Sequence, residues 1–167
     1  MTAMTTVPTN QSEDFRRRLT AVEGRLEALS VCRLEGRTEA DSHGERWDAP
    51  ALWAHLAEVI PYWIAQAERV LAARTFEPVP FGRTPGSPER FEAIERHRHR
   101  GQLALWHDVR EDLCDLRAFL DEIPASGWQL KGLHPALGPM TVTEIVEECL
   151  VSHLEEHASQ LESLRAT

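Results

Sequence analysis

Hydrophobic residues recur every three or four positions in four stretches of the chain, which is the pattern of amphipathic helices that bury one face. The first stretch begins near residue 11, and the second follows Asp48, a residue type that favours a helix N-terminus. The third begins at Pro88 and is expected to continue to about residue 122, and the fourth lies near the end of the chain. No stretch shows the alternation of a β-strand. The predicted fold is therefore all-α, an antiparallel four-helix bundle.

Proline, glycine and threonine positions add detail to these helices. Pro61 lies inside the second helix and is predicted to kink it, because proline denies a hydrogen bond to the preceding turn. Gly101 is expected to weaken the middle of the third helix. Thr141 or Thr143 is predicted to cap the last helix.

Length and charge limit the possible classes of function. The 167 residues are enough for one domain, which we place at residues 11–167, after a polar tail at residues 1–10 that is predicted to be disordered. The net charge of −9 argues against a nucleic-acid partner, because such proteins concentrate basic residues on one face. The basic run RHRHR, residues 96–100, is followed by acidic residues and predicts a solvated helix face.

The same composition predicts a cytoplasmic protein with no membrane partner. No stretch approaches the roughly 20 apolar residues that span a bilayer. The N-terminus has neither the basic segment nor the apolar run of a signal peptide. The three cysteines are far apart and odd in number, which indicates reduced thiols rather than a disulfide framework.

The motif HLEEH, residues 153–157, places two histidines four positions apart on the last helix. A helical wheel puts His153 and His157 at the centre of the apolar stripe, so both are predicted to point into the bundle. Buried imidazoles need partners, and either a shared metal ion or hydrogen bonds within the core would satisfy them. The motif also matches the H-x-x-E-H pattern of inverted zinc peptidases. Those enzymes need another acidic ligand well downstream, which is not expected here.

A third metal ligand is expected from a different helix. His55 is the best-placed candidate, at the inward edge of the second helix. Cys149 shares the stripe of His153 and His157, but one straight helix cannot bring residues i, i+4 and i+8 onto one ion, so Cys149 is predicted to pack in the core. His134 lies in a predicted loop and has a weaker claim.

Two segments of the chain resemble the DinB/YfiT-like family. RWDAPALWAHLAEV, residues 46–59, resembles the tryptophan-led helix of that family with its His-Leu pair. LHPALGPMTVTEIVEECLVSHLEEHASQL, residues 133–161, resembles its final segment, which ends in H-x-x-x-H followed by Gln and Leu. The resemblance covers residues 45–165 in the right order. It implies a four-helix bundle that holds a divalent metal through His55, His153 and His157. Pro61, shortly after His55, departs from the family pattern.

The resemblance also implies a function. Characterised relatives include metal-dependent transferases and isomerases that use mycothiol, bacillithiol or glutathione, so we expect a small-molecule thiol, an electrophilic substrate and an open metal position, with hydrolysis as another reaction. Zinc or nickel is the expected metal, with iron as a third option. Glu156 is a candidate general base from its position alone, and a homodimer is expected. The alternatives are a non-catalytic metal-binding module for stress response or interaction, and a bundle whose histidines only pack.

Overall fold

The computed structural model describes residues 8–166, and its helices are α1 (Pro8–Ser30), α2 (Ala49–Ala73), α3 (Pro88–His97), α4 (Gln102–Glu122), α5 (Val142–Glu144) and α6 (Ser152–Ser163). A π-helical segment, Ile145–Val151, joins α5 to α6, so that residues 142–163 form one long last helix. Helix α1 packs against α4 and the last helix, and α2 packs against the same two elements. The predicted four-helix bundle is confirmed.

Two of the predicted helix starts have the expected caps. The Asp48 side chain accepts a hydrogen bond from the Ala51 N–H. Thr141 and Glu144 form a reciprocal capping box at the start of the last helix, which selects Thr141 over Thr143 as the cap. Of the tail predicted at residues 1–10, positions 1–7 lie outside the described residues, and α1 begins at Pro8.

The third predicted helix is interrupted, so the prediction of one continuous helix was wrong. Helix α3 ends at His97 and α4 begins at Gln102, and between them Gly101 has a φ of +87°. A side chain would strain the backbone at this angle, whereas glycine adopts it freely. The break leaves α3 short, and it packs against α2.

A small three-stranded sheet lies where the sequence predicted only loops. Strand β1 (Val79–Pro80) pairs in parallel with β2 (Lys131–His134), and β2 pairs with the antiparallel β3 (Gly138–Thr141). Strands this short, with glycine and proline among their residues, carry no readable alternation. Gly132 in β2 packs so closely on α2 that an added Cβ would lie 2.7 Å from Val70 Cγ2.

The core is continuous and contains large side chains from every bundle helix. Helix α2 contributes the most, because it is buried on more than one side, and Trp53 is fully enclosed beside Trp106 of α4. Among the described residues, no helix is both long and apolar enough to cross a membrane.

Candidate metal centre

Three histidines from two helices meet at one point. His55 comes from α2, and His153 and His157 come from α6. His153 Nε2 lies 3.1 Å from His55 Nε2 and 2.9 Å from His157 Nε2, and one ring nitrogen of each residue lies within 4.8 Å of the others. Two nitrogens bound to one tetrahedral zinc ion at about 2.0–2.1 Å stand about 3.3 Å apart, and the two spacings here lie within about 0.5 Å of that value, so a small adjustment of the rings would accommodate a shared ion. The structure thus brings together the three residues that the sequence singled out.

The outer nitrogens of two of these rings lie beside side-chain oxygens, from which the tautomers are assigned. His55 Nδ1 lies 2.8 Å from Glu58 Oε1, and His157 Nδ1 lies 2.7 Å from Gln160 Oε1. Both outer nitrogens must donate to these oxygens, so the Nε2 atoms of His55 and His157 present lone pairs to the centre. His153 has one Nε2 proton at most and can satisfy only one of them. A cation at the centre would satisfy all three nitrogens.

Burial keeps these imidazoles neutral. It is the largest cause that holds the pKa of His55 and His153 well below the ordinary value, and the neighbouring imidazoles add to it. Burial also lowers the pKa of His157, to about 4, although the hydrogen bond to Gln160 opposes the shift. Neutral imidazole is the form that binds metal ions, so the cluster is ready for coordination at neutral pH.

Glu58 is a functional residue that the sequence reasoning missed. Its side chain is 6% exposed, and besides His55 it contacts Arg83, whose Nη2 lies 2.7 and 2.5 Å from its two oxygens. Burial raises the pKa of Glu58, and the hydrogen bond from Arg83 opposes that rise. A carboxylate that accepts from the outer nitrogen of a histidine is the usual support of a metal ligand. The available signal was the i,i+3 spacing of His55 and Glu58, which His157 and Gln160 repeat.

Trp47, just before α2, covers two of the three rings. Its ring stacks on His55 with centroids 5.0 Å apart and meets His157 edge-on at 5.8 Å. The Trp47 indole nitrogen donates to Asp41, and Arg90 lies over the same ring. These contacts fix the orientation of the imidazoles from one side and leave the other side open.

The open side is a cavity of about 310 Å³. Its apolar walls include Val59, Trp63 and Leu137, and Arg83 and Arg90 add two cations. Glu148 and Glu156 lie on the wall formed by the last helix, and both are exposed. The centre is therefore reachable by a small molecule and is not sealed by protein side chains.

The other residues considered in the sequence take different positions. Glu156 lines the cavity but makes no hydrogen bond or ion pair with any described residue, whereas its neighbour Glu155 is bound by Arg18 outside the cavity. Cys149 also lines the cavity and is buried, as predicted, and burial raises the pKa of its thiol to about 12. It is not part of the three-histidine group.

His134 is buried beside the cavity at the end of β2, rather than in the predicted loop. Its Nε2 donates to the Arg83 carbonyl at 3.1 Å, and its Nδ1 accepts from the backbone N–H groups of Ala136 and Leu137. Both ring nitrogens are therefore occupied by the protein, and His134 holds two loops together.

The comparisons with known proteins agree with the observed architecture. The solved structure of YfiT from Bacillus subtilis matches this chain with a TM-score of 0.72 at 14% identity, over 98% of this chain and 91% of that one. YfiT is reported as a probable metal-dependent hydrolase with an unusual four-helix bundle topology. No protein-family model matches the sequence, and no curated protein matches it. The likeness to YfiT shows the fold, as the sequence resemblance implied.

Proposed function

We propose that this protein holds a divalent metal ion through His55, His153 and His157 and uses it to act on a small molecule. The observation that carries the proposal is the convergence of three Nε2 atoms at the wall of an open cavity. Structural zinc sites are closed by four protein ligands, whereas catalytic sites keep a position open. The open cavity therefore supports an enzyme over a closed metal-binding module.

The reaction that we propose is transfer of a low-molecular-weight thiol to an electrophile. A divalent ion held by three imidazoles lowers the pKa of a bound thiol or water. The thiolate sulfur would form a bond to an electrophilic carbon while the leaving group departs, and the thiol proton would pass to a general base and from there to solvent. The cavity of about 310 Å³ suits partners of this size. Glu156 is the candidate general base because its carboxylate is unpaired among the described residues and lines the cavity.

Hydrolysis is the second candidate function. The observation that favours it is the shared fold with YfiT, a probable metal-dependent hydrolase. In that reaction water would take the place of the thiol, and the protein ligands would be the same. Zinc or nickel, with iron as a third option, remains the proposed metal, and a cytoplasmic homodimer remains the proposed form of the protein.

Metal analysis tests the first step of the proposal. Purified protein is expected to contain about one divalent ion per chain, and the double variant His153→Ala, His157→Ala is expected to lose it. His99→Ala is the matched control, because His99 is exposed and outside the cluster. Equal metal content in the double variant and the control would rule out the proposed ligands.

Turnover assays test the second step. The metal-loaded protein is incubated with several thiols and electrophiles, and separately with ester and amide substrates without a thiol. Thiol-dependent product that disappears in the double histidine variant supports the transferase. Product from the esters or amides alone supports the hydrolase, and no turnover with a full metal complement favours the non-catalytic module.

A further inference from the structure

We infer that Arg83 binds a carboxylate of the substrate inside the cavity, so that the preferred thiol carries a carboxylate close to its sulfur. The inference rests on the proposed function and adds the chemical class of the substrate. Arg83 lies between β1 and α3, and its side chain is 13% exposed and lines the same cavity as the three histidines.

The hydrogen bonds of Arg83 leave most of its guanidinium unused. Only Nη2 contacts Glu58, and it reaches both carboxylate oxygens. Nε and Nη1 have no hydrogen-bond partner among residues 8–166. Arginine carries five N–H donors; the two on Nη2 are used by Glu58, so one on Nε and two on Nη1 remain, each able to make a single charge-assisted hydrogen bond. The unused donors are therefore suited to an anionic group that enters the cavity.

The Arg83 side chain is also held in position before a ligand arrives. Its guanidinium lies 3.9 Å from the centroid of the Tyr62 ring, and Glu58 fixes its Nη2 end. The Arg83 carbonyl accepts a hydrogen bond from buried His134. A group that is already ordered loses little conformational entropy on binding, which favours affinity.

Arg90, the other arginine in the cavity wall, provides the internal comparison. Its Nη1 donates to Glu45 and to the Pro85 carbonyl, and its Nη2 donates to the second Glu45 oxygen, all at 2.8 Å. Both arginines are ion-paired, Arg83 with Glu58 and Arg90 with Glu45, but Arg90 uses both of its terminal nitrogens within the protein. Both arginines line the cavity, but Arg83 keeps the donors of Nε and Nη1 for a ligand, whereas Nε is the only nitrogen of Arg90 without a partner among the described residues.

The acidic wall limits how much negative charge a ligand can bring. Glu148 and Glu156 line the cavity without ion-pair partners among the described residues. A second anionic group would approach these carboxylates and be repelled. A single carboxylate beside Arg83 is therefore the arrangement that the charges favour.

Cobalt-loaded full-length protein allows a direct test with three thiols of similar size. These thiols are 3-mercaptopropionate, 2-mercaptoethanol and cysteamine, which carry a carboxylate, a hydroxyl and an ammonium group. Thiolate binding to cobalt is followed by its charge-transfer absorption at saturating cobalt. We expect 3-mercaptopropionate to bind about 10-fold more tightly than 2-mercaptoethanol, as one charge-assisted pair allows.

Two arginine variants show whether Arg83 causes the preference. Arg83→Lys keeps a cation for Glu58 but loses the unused Nε and Nη1 donors, so it is expected to lose the carboxylate preference and keep 2-mercaptoethanol binding. Arg69→Lys, at an exposed arginine of α2 that does not line the cavity, is the matched control and is expected to keep the preference. Circular dichroism checks that both variants fold, and 2-mercaptoethanol affinity is the internal control for an intact centre.

The outcomes separate this inference from the proposed function. Equal affinity for the three thiols, tighter binding of cysteamine, or a preference that survives in Arg83→Lys would overturn the inference and leave the metal site standing. Failure of the wild-type protein to bind cobalt, or to bind any thiol through it, would instead contradict the proposed function and the inference together.

Discussion

Replacing Glu58 tests whether a buried carboxylate supports the metal centre from behind His55. Glu58→Gln keeps the shape and an oxygen acceptor but removes the charge. Glu58→Met removes the acceptor and leaves a side chain of similar length. Because the carboxylate orients His55 Nδ1 at 2.8 Å, both changes are expected to weaken metal binding, and Met more than Gln.

The magnitudes follow from the hydrogen bond that is lost. A hydrogen bond to a charged group contributes about 1.5–3 kcal/mol, and a neutral one about 0.5–1.5 kcal/mol. Gln therefore loses about 1 kcal/mol, or about 5-fold in metal affinity, and Met loses about 1.5–3 kcal/mol, or about 10- to 100-fold. Arg83 loses its charged partner in both variants, although Gln still offers it one oxygen acceptor, and circular dichroism shows whether that loss affects the fold.

Competition with a chromophoric zinc chelator at pH 7.5 measures these affinities, and circular dichroism confirms the helical content of each variant. Glu68→Gln is the matched control, since Glu68 lies on the same helix but is exposed and makes no contact with the cluster. If both Glu58 variants bind zinc within about 3-fold of the wild type, or if Gln weakens binding more than Met, the supporting role of this carboxylate is refuted.

Three further predictions concern stability, each measured by urea unfolding. Gly132→Ala is expected to cost about 2–3 kcal/mol, because its Cβ would meet the Phe81 ring and lie 2.7 Å from Val70 Cγ2. Gly24→Ala in α1 has open space around the new Cβ and is expected to gain about 0.5–1 kcal/mol. Equal effects of the two substitutions would contradict this packing. Thr141→Ala is expected to cost about 1 kcal/mol by removing the capping box, and no loss would mean that the cap is redundant. Burial raises the pKa of Asp112 to about 7, and the negative charge of Asp115 adds to this effect. The protonated carboxyl therefore contributes its whole stabilisation below about pH 4, and this contribution is lost as the pH rises through about 7. Asp112→Asn is therefore expected to exceed the wild type by about 1 kcal/mol at pH 8, after allowance for partial exposure, and to match it at pH 4; a gain that is independent of pH would contradict this.

The helical part of the fold was predictable because its signals are local. Apolar spacing identified the bundle helices, and Asp48 and Thr141 marked two helix starts through cap chemistry that acts within three residues. Gly101 was noted as a weak point but not as a break, because glycine adopts a helical φ as readily as the observed φ of +87°, so the residue type alone does not decide between them. The sheet was missed for a related reason, since β1 and β2 are about 50 residues apart and gain their pairing only in the folded chain.

The three histidines of the candidate site could be predicted from the sequence, but the residues that orient them could not. His55, His153 and His157 could be chosen because each lies on the inward side of a helix. The spacing from His55 alone could not rank Glu58 above other acidic residues. Its position beside His55 is also held by Arg83, which lies 25 positions away in a loop. The same limit applies to the substrate side of the cavity, where loops and the sheet contribute residues that have no fixed spacing from the histidines.

The π-helical segment explains how one helix can turn so many residues toward the cavity and core. Ile145, Cys149, His153, His157 and Leu161 follow one another every four residues, and all but half-buried His153 are buried. In an α-helix four residues advance about 40° beyond a full turn, so such a series would wind away from one face. A π-helix has more residues per turn, and there four residues fall short of a full turn. Because Ile145–Val151 is π-helical and Ser152–Ser163 is α-helical, the two drifts oppose each other and the series stays on one side. The uniform helical wheel, which assumed about 100° for every residue, was therefore out of register before Ser152, whereas its spacing between His153 and His157 holds because both lie in the α-helical part.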